Sequence, residues 1–290
     1  MDSQQPGPAV AGPDRVPRGI DISVAHPARR YDYWLGGKDN FPADRESAEA
    51  IAAVFPTVRL AAVENRHFLQ RAVRYLAGEA GIRQFLDIGT GIPTADNTHE
   101  VAQGIAPESR VVYVDNDPIV LAHARALLTS STEGRTTYLD ADLREPETIL
   151  GHPALRQTLD LSQPVALMMV AILHFFSRED QPHRIAERLL SELAPGSYLV
   201  ASHGTADLLT QEARAAVPVI NAAGRVPYIP RSKAEFARFF DGLEFVPPGI
   251  VSVSEWRDDE PPPRPTPEEI AIYGAVGRVP DGRPHHNDES

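Results

Sequence analysis

The chain of 290 residues is 42% hydrophobic and 23% charged, enough for one substantial α/β domain with appendages. It has no cysteine, which excludes disulfides, thiolate metal sites and cysteine nucleophiles. Its formal net charge of −12 argues against general nucleic-acid affinity, and its longest apolar run, residues 165–173, is too short to span a bilayer.

Residues 1–22 are rich in Pro and Gly, without the basic start and apolar centre of a signal peptide. They are expected to form a disordered arm on a soluble, cytoplasmic protein. Residues 23–80 are expected to form a helical cap. It opens on an aromatic-rich stretch around Tyr31–Phe41 and continues in helices near 43–55 and 57–78, separated by Pro56. In the second helix Leu69, Val73 and Leu76 repeat at the spacing of a buried face.

From residue 84 short apolar runs alternate with amphipathic segments. Strands are predicted at 84–88, 110–115, 136–140, 164–170 and 197–202, with helices near 93–105, 117–129, 146–159 and 180–194. Asp117-Pro118 reads as a cap followed by a first-turn proline, and Pro195-Gly196 as a stop. Residues 205–230 read as an inserted helix and loop, and Ser232 with Glu235 as a capping box. Residues 250–256 and 270–276 alternate as two last strands, joined by a Pro-rich loop over 258–267, and 279–290 are expected to be a disordered tail. The expectation is an α/β domain over 81–278: Rossmann-like, doubly wound, with a mostly parallel seven-stranded sheet.

The strongest chemical signal is Phe85-Leu86-Asp87-Ile88-Gly89-Thr90-Gly91, a strand running into a glycine turn that lets a ligand approach the backbone. Thr94 stands where the dinucleotide fingerprint has its third glycine. Asp87 at the sheet mouth would repel a pyrophosphate but suits the ammonium and sulfonium charges of S-adenosylmethionine, which has no phosphate. At the end of the second strand Asp115, followed by Asn116, can accept two ribose hydroxyls. After the third strand, Asp142 can accept an adenine amino group while a neighbouring backbone N–H meets a ring nitrogen. Read structurally instead, each of these acids is a turn or capping residue.

Together these segments resemble the class I S-adenosylmethionine-dependent methyltransferases. More narrowly, Tyr31-Asp32-Tyr33-Trp34-Leu35-Gly36-Gly37-Lys38-Asp39-Asn40-Phe41, Asn65-Arg66, the glycine turn, Val112–Pro118 and Ala194–Leu199 are similar to an actinobacterial S-adenosyl methyltransferase family long catalogued as a domain of unknown function. The resemblance implies that Asp87, Gly89 and Gly91, with Thr90 between them, face the methionine moiety. It places Asp115 and Asn116 at the ribose, and Asp142 with Leu143 at the adenine. It also implies an N-terminal segment folded over the methionine carboxylate, for which Tyr31, with Lys38 or Arg66 as countercharge, are the candidates. The same aromatic stretch also reads as ordinary cap packing.

Methyl transfer is an in-line displacement that needs alignment and exclusion of water more than a nucleophile on the protein. A base is needed only where the acceptor must lose a proton. His174, after the fourth strand, is the candidate, with His203 second; either also reads as a structural histidine. No metal constellation is evident: His99-Glu100 lacks a second ligand at helical spacing, and His285-His286 falls in the expected tail. The acceptor is expected to be a small, natural-product-like molecule, its pocket shaped by the cap and by the insertion with Val217, Ile220, Tyr228 and Ile229. Two other readings stand beside this one: cofactor binding without methyl transfer, and an NAD(P)-dependent oxidoreductase, against which Asp87 and the missing glycine speak.

Overall fold

The computed structural model describes residues 21–282, apart from 94–95, 128–129, 216, 223–225 and 259–262. The expected arm and tail therefore lie almost wholly outside the described residues, as does Thr94. The cap comprises α1 (Pro27–Trp34), α2 (Pro42–Val54) and α3 (Val58–Arg74), the last continued by one π-helical turn over Tyr75–Glu79. Proline stands in the first turn of α1 and α2, where the missing N–H costs nothing.

The sheet follows. Strands β1 (Gln84–Ile88), β2 (Arg110–Asp115), β3 (Arg135–Asp140), β4 (Ala166–Val170) and β5 (Tyr198–Gly204) are parallel and ordered β3-β2-β1-β4-β5. Helices α4 (Thr98–Ile105), α5 (Pro118–Leu127), α6 (Pro146–Leu150), α7 (Pro153–Thr158) and α8 (Pro182–Ser191) fill the crossovers. Beyond β5 come α9 (Gln211–Ala215), α10 (Val217–Ala222) and α11 (Lys233–Ala237). Three strands, β6 (Glu244–Phe245), β7 (Val251–Ser252) and β8 (Ile272–Arg278), and α12 (Pro267–Ile270) complete the chain. β8 runs antiparallel beside β5 and pairs with both β6 and β7.

Among the described residues the sheet thus has eight strands, not seven. The strand expected over 250–256 shrinks to the two residues of β7, because the chain turns through Val253–Arg257 to bury Trp256. The strand expected from residue 270 starts at Ile272, because Thr266 and Glu269 form a capping box around α12 with Pro267 in its first turn. Helix α4 starts at Thr98 rather than near 93, where Asn97 and Glu100 cap it. The helix expected over 146–159 is two helices, α6 and α7, broken at Gly151-His152.

Strand periodicity sorts the core onto two faces. Leu86, Ile88, Val112, Val114, Leu167 and Met169 pack against α8 through Ile185, Leu189 and Leu190. The alternate residues Phe85, Val111, Tyr113, Ala166, Met168 and Val200 pack against Phe68, Leu69 and Ala72 of α3 and Leu76 of the π-helical turn that continues it. Both faces of β1, β2 and β4 are therefore apolar, as a parallel sheet between helical layers requires. Phe68 meets Trp256 edge-on, ring centres 5.5 Å apart, and Arg71 donates to the carbonyls of Val253 and Trp256, tying the cap to the C-terminal segment.

Candidate functional site

At the carboxyl ends of the parallel strands, under the cap, lies a cavity of about 280 Å³. Strand order divides its wall. The ends of β1, β2 and β3 contribute Asp87, Asp115 and Asp142; the ends of β4, β5 and β8 contribute Ile172, Phe175, Gly204 and Ile272. The first half carries the acidic side chains of the wall, with Arg66 and Arg144 beside them, and the second is apolar.

The acidic half is built on the turn after β1. Gly89 and Gly91 have φ of +73° and +69°, in the left-handed region that L residues avoid. A Cβ on Gly89 would lie 2.7 Å from the Ile172 side chain. The turn is pinned from β2: Gly89 N–H donates to the Val114 carbonyl at 2.8 Å, and Gly91 N–H to Asp115 Oδ2 at 2.8 Å. Asp115 Oδ1 accepts the Asp117 N–H at 3.0 Å, so each of its oxygens keeps a lone pair for a ligand. Burial raises its pKa against these two N–H groups, which lower it.

Asp87 is 4% exposed, and its Oδ2 accepts the Thr98 hydroxyl at 2.6 Å. Burial raises its pKa to about 6, with the Thr98 hydrogen bond and the Arg66 charge pulling the other way. Arg66 donates to Asn97 Oδ1 at 2.9 Å and to the Asp96 carbonyl at 3.2 Å. Asn116 Nδ2 donates to Asp142 Oδ2 at 3.1 Å, joining the loops after β2 and β3, while Asp142 Oδ1 accepts the Arg144 N–H.

Tyr31, Arg66, Asp87, Gly89, Thr90, Gly91, Asp115, Asn116, Asp142, Leu143 and His174 all line this one cavity. Lys38 does not: it is exposed, on the turn between α1 and α2. That turn is held by Asp32, which is buried and accepts the Asp39 N–H at 3.0 Å and the Asn40 amide at 2.7 Å. The Gly-Gly-Lys-Asp-Asn segment thus shapes the cap, and Lys38 is its exposed corner. The Tyr31 hydroxyl donates to the Ala62 carbonyl and accepts from Asn65, each at 2.9 Å, so its polar end is engaged within the cap.

His174 is not placed to act as a base. Its Nδ1 accepts the Gly204 N–H at 3.2 Å, which leaves the proton of the neutral ring on Nε2. Burial, with the Arg231 charge, lowers its pKa to about 3. His203 is engaged on both nitrogens, Nδ1–H with the Gly204 carbonyl at 2.7 Å and Nε2 with Arg231 at 2.8 Å; burial holds it well below the usual range too. His99 is equally internal, its Nδ1 2.9 Å from the Tyr113 hydroxyl.

Several residues of the site had no role from sequence alone. His26 Nδ1 lies 2.9 Å from Asp117 Oδ2 and Arg29 Nε lies 3.6–3.7 Å from Asp44 and Asp117, fastening α1 to the loop after β2. Arg231 is buried and donates to the Leu173 and Phe176 carbonyls, clamping the turn after β4. Thr266-Pro267-Glu268-Glu269 carried a capping signal for α12; nothing in the sequence marked Arg231.

The residues fit S-adenosylmethionine: buried Asp87 and Asp115 at adjacent strand ends with Asp142 beyond them, a glycine turn open to a ligand, and Arg66 beside Asp87 as a countercharge for a carboxylate. No curated protein matches the chain. Among the solved structures that match, a DUF574 family protein from Streptomyces avermitilis is 52% identical with a TM-score of 0.86, covering 90% of this chain and 99% of its own. A putative methyltransferase from Thermobifida fusca is 42% identical with a TM-score of 0.83, covering 91% and 98%. The profile of the S-adenosyl methyltransferase family matches residues 13–280. The chain belongs to that family and is an S-adenosylmethionine-dependent methyltransferase.

Proposed function

We propose that this methyltransferase acts on a small organic acceptor bound in the apolar half of the cavity, with the cofactor in the acidic half. When bound, S-adenosylmethionine supplies an electrophilic methyl group on a sulfonium. Asp87 and the Gly89-Thr90-Gly91 turn hold the methionine moiety, with Arg66 as countercharge for its carboxylate. Asp115, with Asn116 beside it, receives the ribose hydroxyls, and Asp142 with Leu143 the adenine edge. Tyr31 forms part of the wall over the methionine moiety.

The observation that carries this reading is the division of one cavity into an acidic half at β1–β3 and an apolar half at β4, β5 and β8. The cap closes over both: Phe55, Val58 and Leu69 line the same space as Asp87. The chain contributes alignment and a dry site, which is what an in-line displacement requires. With His174 and His203 carrying no free basic nitrogen, an acceptor loses its proton to solvent or reacts without losing one.

Incubation with methyl-labelled cofactor and a panel of small hydroxylated and nitrogenous compounds tests the reading. Label moving to a small molecule supports a small organic acceptor; label remaining on the cofactor across the panel counts against it.

A further inference from the structure

The apolar half of the cavity holds an unusual pair of polar atoms. It is walled by Phe55, Phe175, Leu209, Val226, Ile270 and Ile272. Among the described residues no carboxylate lines it; Asp87, Asp115 and Asp142, the acids on the wall, all sit at β1–β3. Among the described residues, neither the Tyr228 hydroxyl nor His174 Nε2 has a hydrogen-bond partner, although both side chains line this half and their rings lie 5.2 Å apart.

Local structure is arranged around this pair. Gly204 ends β5, and a Cβ there would collide with the Tyr228 hydroxyl, so glycine makes room for it. The Gly204 N–H occupies His174 Nδ1, which places the proton of that ring on Nε2. Tyr228 is positioned in turn by its own N–H, which donates to Asn221 Oδ1 at 2.6 Å, and by the Ile229 N–H, which donates to the His174 carbonyl at 2.7 Å. The strap over 228–231 therefore binds the tyrosine to the histidine it faces.

We propose that the methyl acceptor is an uncharged, ring-sized apolar molecule bearing a hydroxyl or carbonyl oxygen, which the His174 Nε2–H and the Tyr228 hydroxyl recognise. This rests on the placement of the cofactor in the acidic half. An imidazole N–H is a donor only, so it selects a group with a lone pair, as a hydroxyl or carbonyl oxygen has; the tyrosine can donate to a carbonyl or accept from a hydroxyl. A protonated amine finds no carboxylate in this half, and a site with unmatched polar groups rejects a ring that lacks the oxygen. His174 and Tyr228 are thus positioning residues that set acceptor specificity.

The test is calorimetry on full-length protein with three probes of one shape: 4-ethylphenol, ethylbenzene and phenethylamine, the last an ammonium at neutral pH. S-adenosylhomocysteine is titrated first, and each probe is then added to the saturated complex. We expect 4-ethylphenol to bind about tenfold more tightly than ethylbenzene, as for one or two matched hydrogen bonds, and phenethylamine to give no signal. Tyr228→Phe, which removes only the oxygen, shrinks that preference to about threefold or less while S-adenosylhomocysteine still binds. The proposal is overturned if the phenol and the hydrocarbon bind alike, if phenethylamine binds as well as the phenol, if no probe binds, or if Tyr228→Phe keeps the full preference. Failure of S-adenosylhomocysteine itself to bind strikes the cofactor placement instead, and the proposal falls with it.

Discussion

The amide of Asn65 on α3 accepts the Ser202 hydroxyl at 2.6 Å, joining the cap to the end of β5 across 137 residues of sequence. The same amide donates to the Tyr31 hydroxyl at 2.9 Å, and Ser202 Oγ accepts the N–H of Ala171 at 2.9 Å. Ala171 has a φ of +56° and lines the cavity, so this chain of hydrogen bonds holds a strained residue at the end of β4. Asn65→Ala leaves the Ser202 and Tyr31 hydroxyls short of a partner in a buried setting. We expect a loss of about 2–3 kcal/mol in urea unfolding, and faster amide exchange in α1 than in β1.

Asp87 trades stability for binding. Its carboxyl titrates at about 6 when folded against 3.8 otherwise, so the folded chain holds more protons between those values. Stability from this group is full below pH 3.8 and is lost as pH rises through 6, by on the order of 3 kcal/mol for about two pKa units. Asp87→Asn should therefore raise the melting temperature of the ligand-free protein at pH 7.5, yet weaken S-adenosylmethionine at least tenfold. In the parent protein, affinity for the cofactor should fall as pH drops through about 6. A variant that lost stability at pH 7.5 would contradict this account.

Gly89→Ala is expected to disable the site without unfolding the sheet. The new methyl meets Ile172 at 2.7 Å, and the backbone must hold a φ of +73°. The left-handed conformation alone costs about 1–2 kcal/mol for an L residue. Cofactor titration should show at least a tenfold loss, with circular dichroism unchanged.

His174→Gln separates a recognition role from a catalytic base. The ring stays neutral until pH falls to about 3, so it does not titrate where methyltransferases are assayed. The variant should keep the pH profile of the parent between pH 6 and 9, whatever its rate. Stability reports the group instead: the unfolded histidine takes up a proton below about 6.5 and the folded one does not, so stability is lost as pH falls through that value. His174→Gln should make that acid-side loss shallower, as followed by urea midpoints from pH 7 to 4.

Strands β1 and β2 were legible to the residue because each is a short run buried on both faces and bounded by turn residues. The acidic triad was legible for a related reason: Asp87 lies inside β1, Asp115 ends β2, and Asp142 closely follows β3, where the topology converges. The C-terminal part was harder. Phe245 and Val251 belong to two-residue strands that exist only because β8 pairs with them, and such pairing leaves no local period. The histidines were legible as positions but not as chemistry, since the tautomer of His174 depends on Gly204, 30 residues away. Lys38 looked like a ligand by charge, whereas Asp32 and the turn it holds point that residue outward.

The most direct test is a calorimetric titration of S-adenosylhomocysteine into the parent protein and Asp115→Ala. Asp115 carries the Gly91 and Asp117 N–H groups and faces the proposed ribose, so its loss removes both a ligand contact and the pin of the glycine turn. We predict one site per chain in the parent and binding weaker by at least about thirtyfold in the variant, the scale of two lost charge-assisted hydrogen bonds. Equal binding by the two proteins, or no heat with either, would contradict the account.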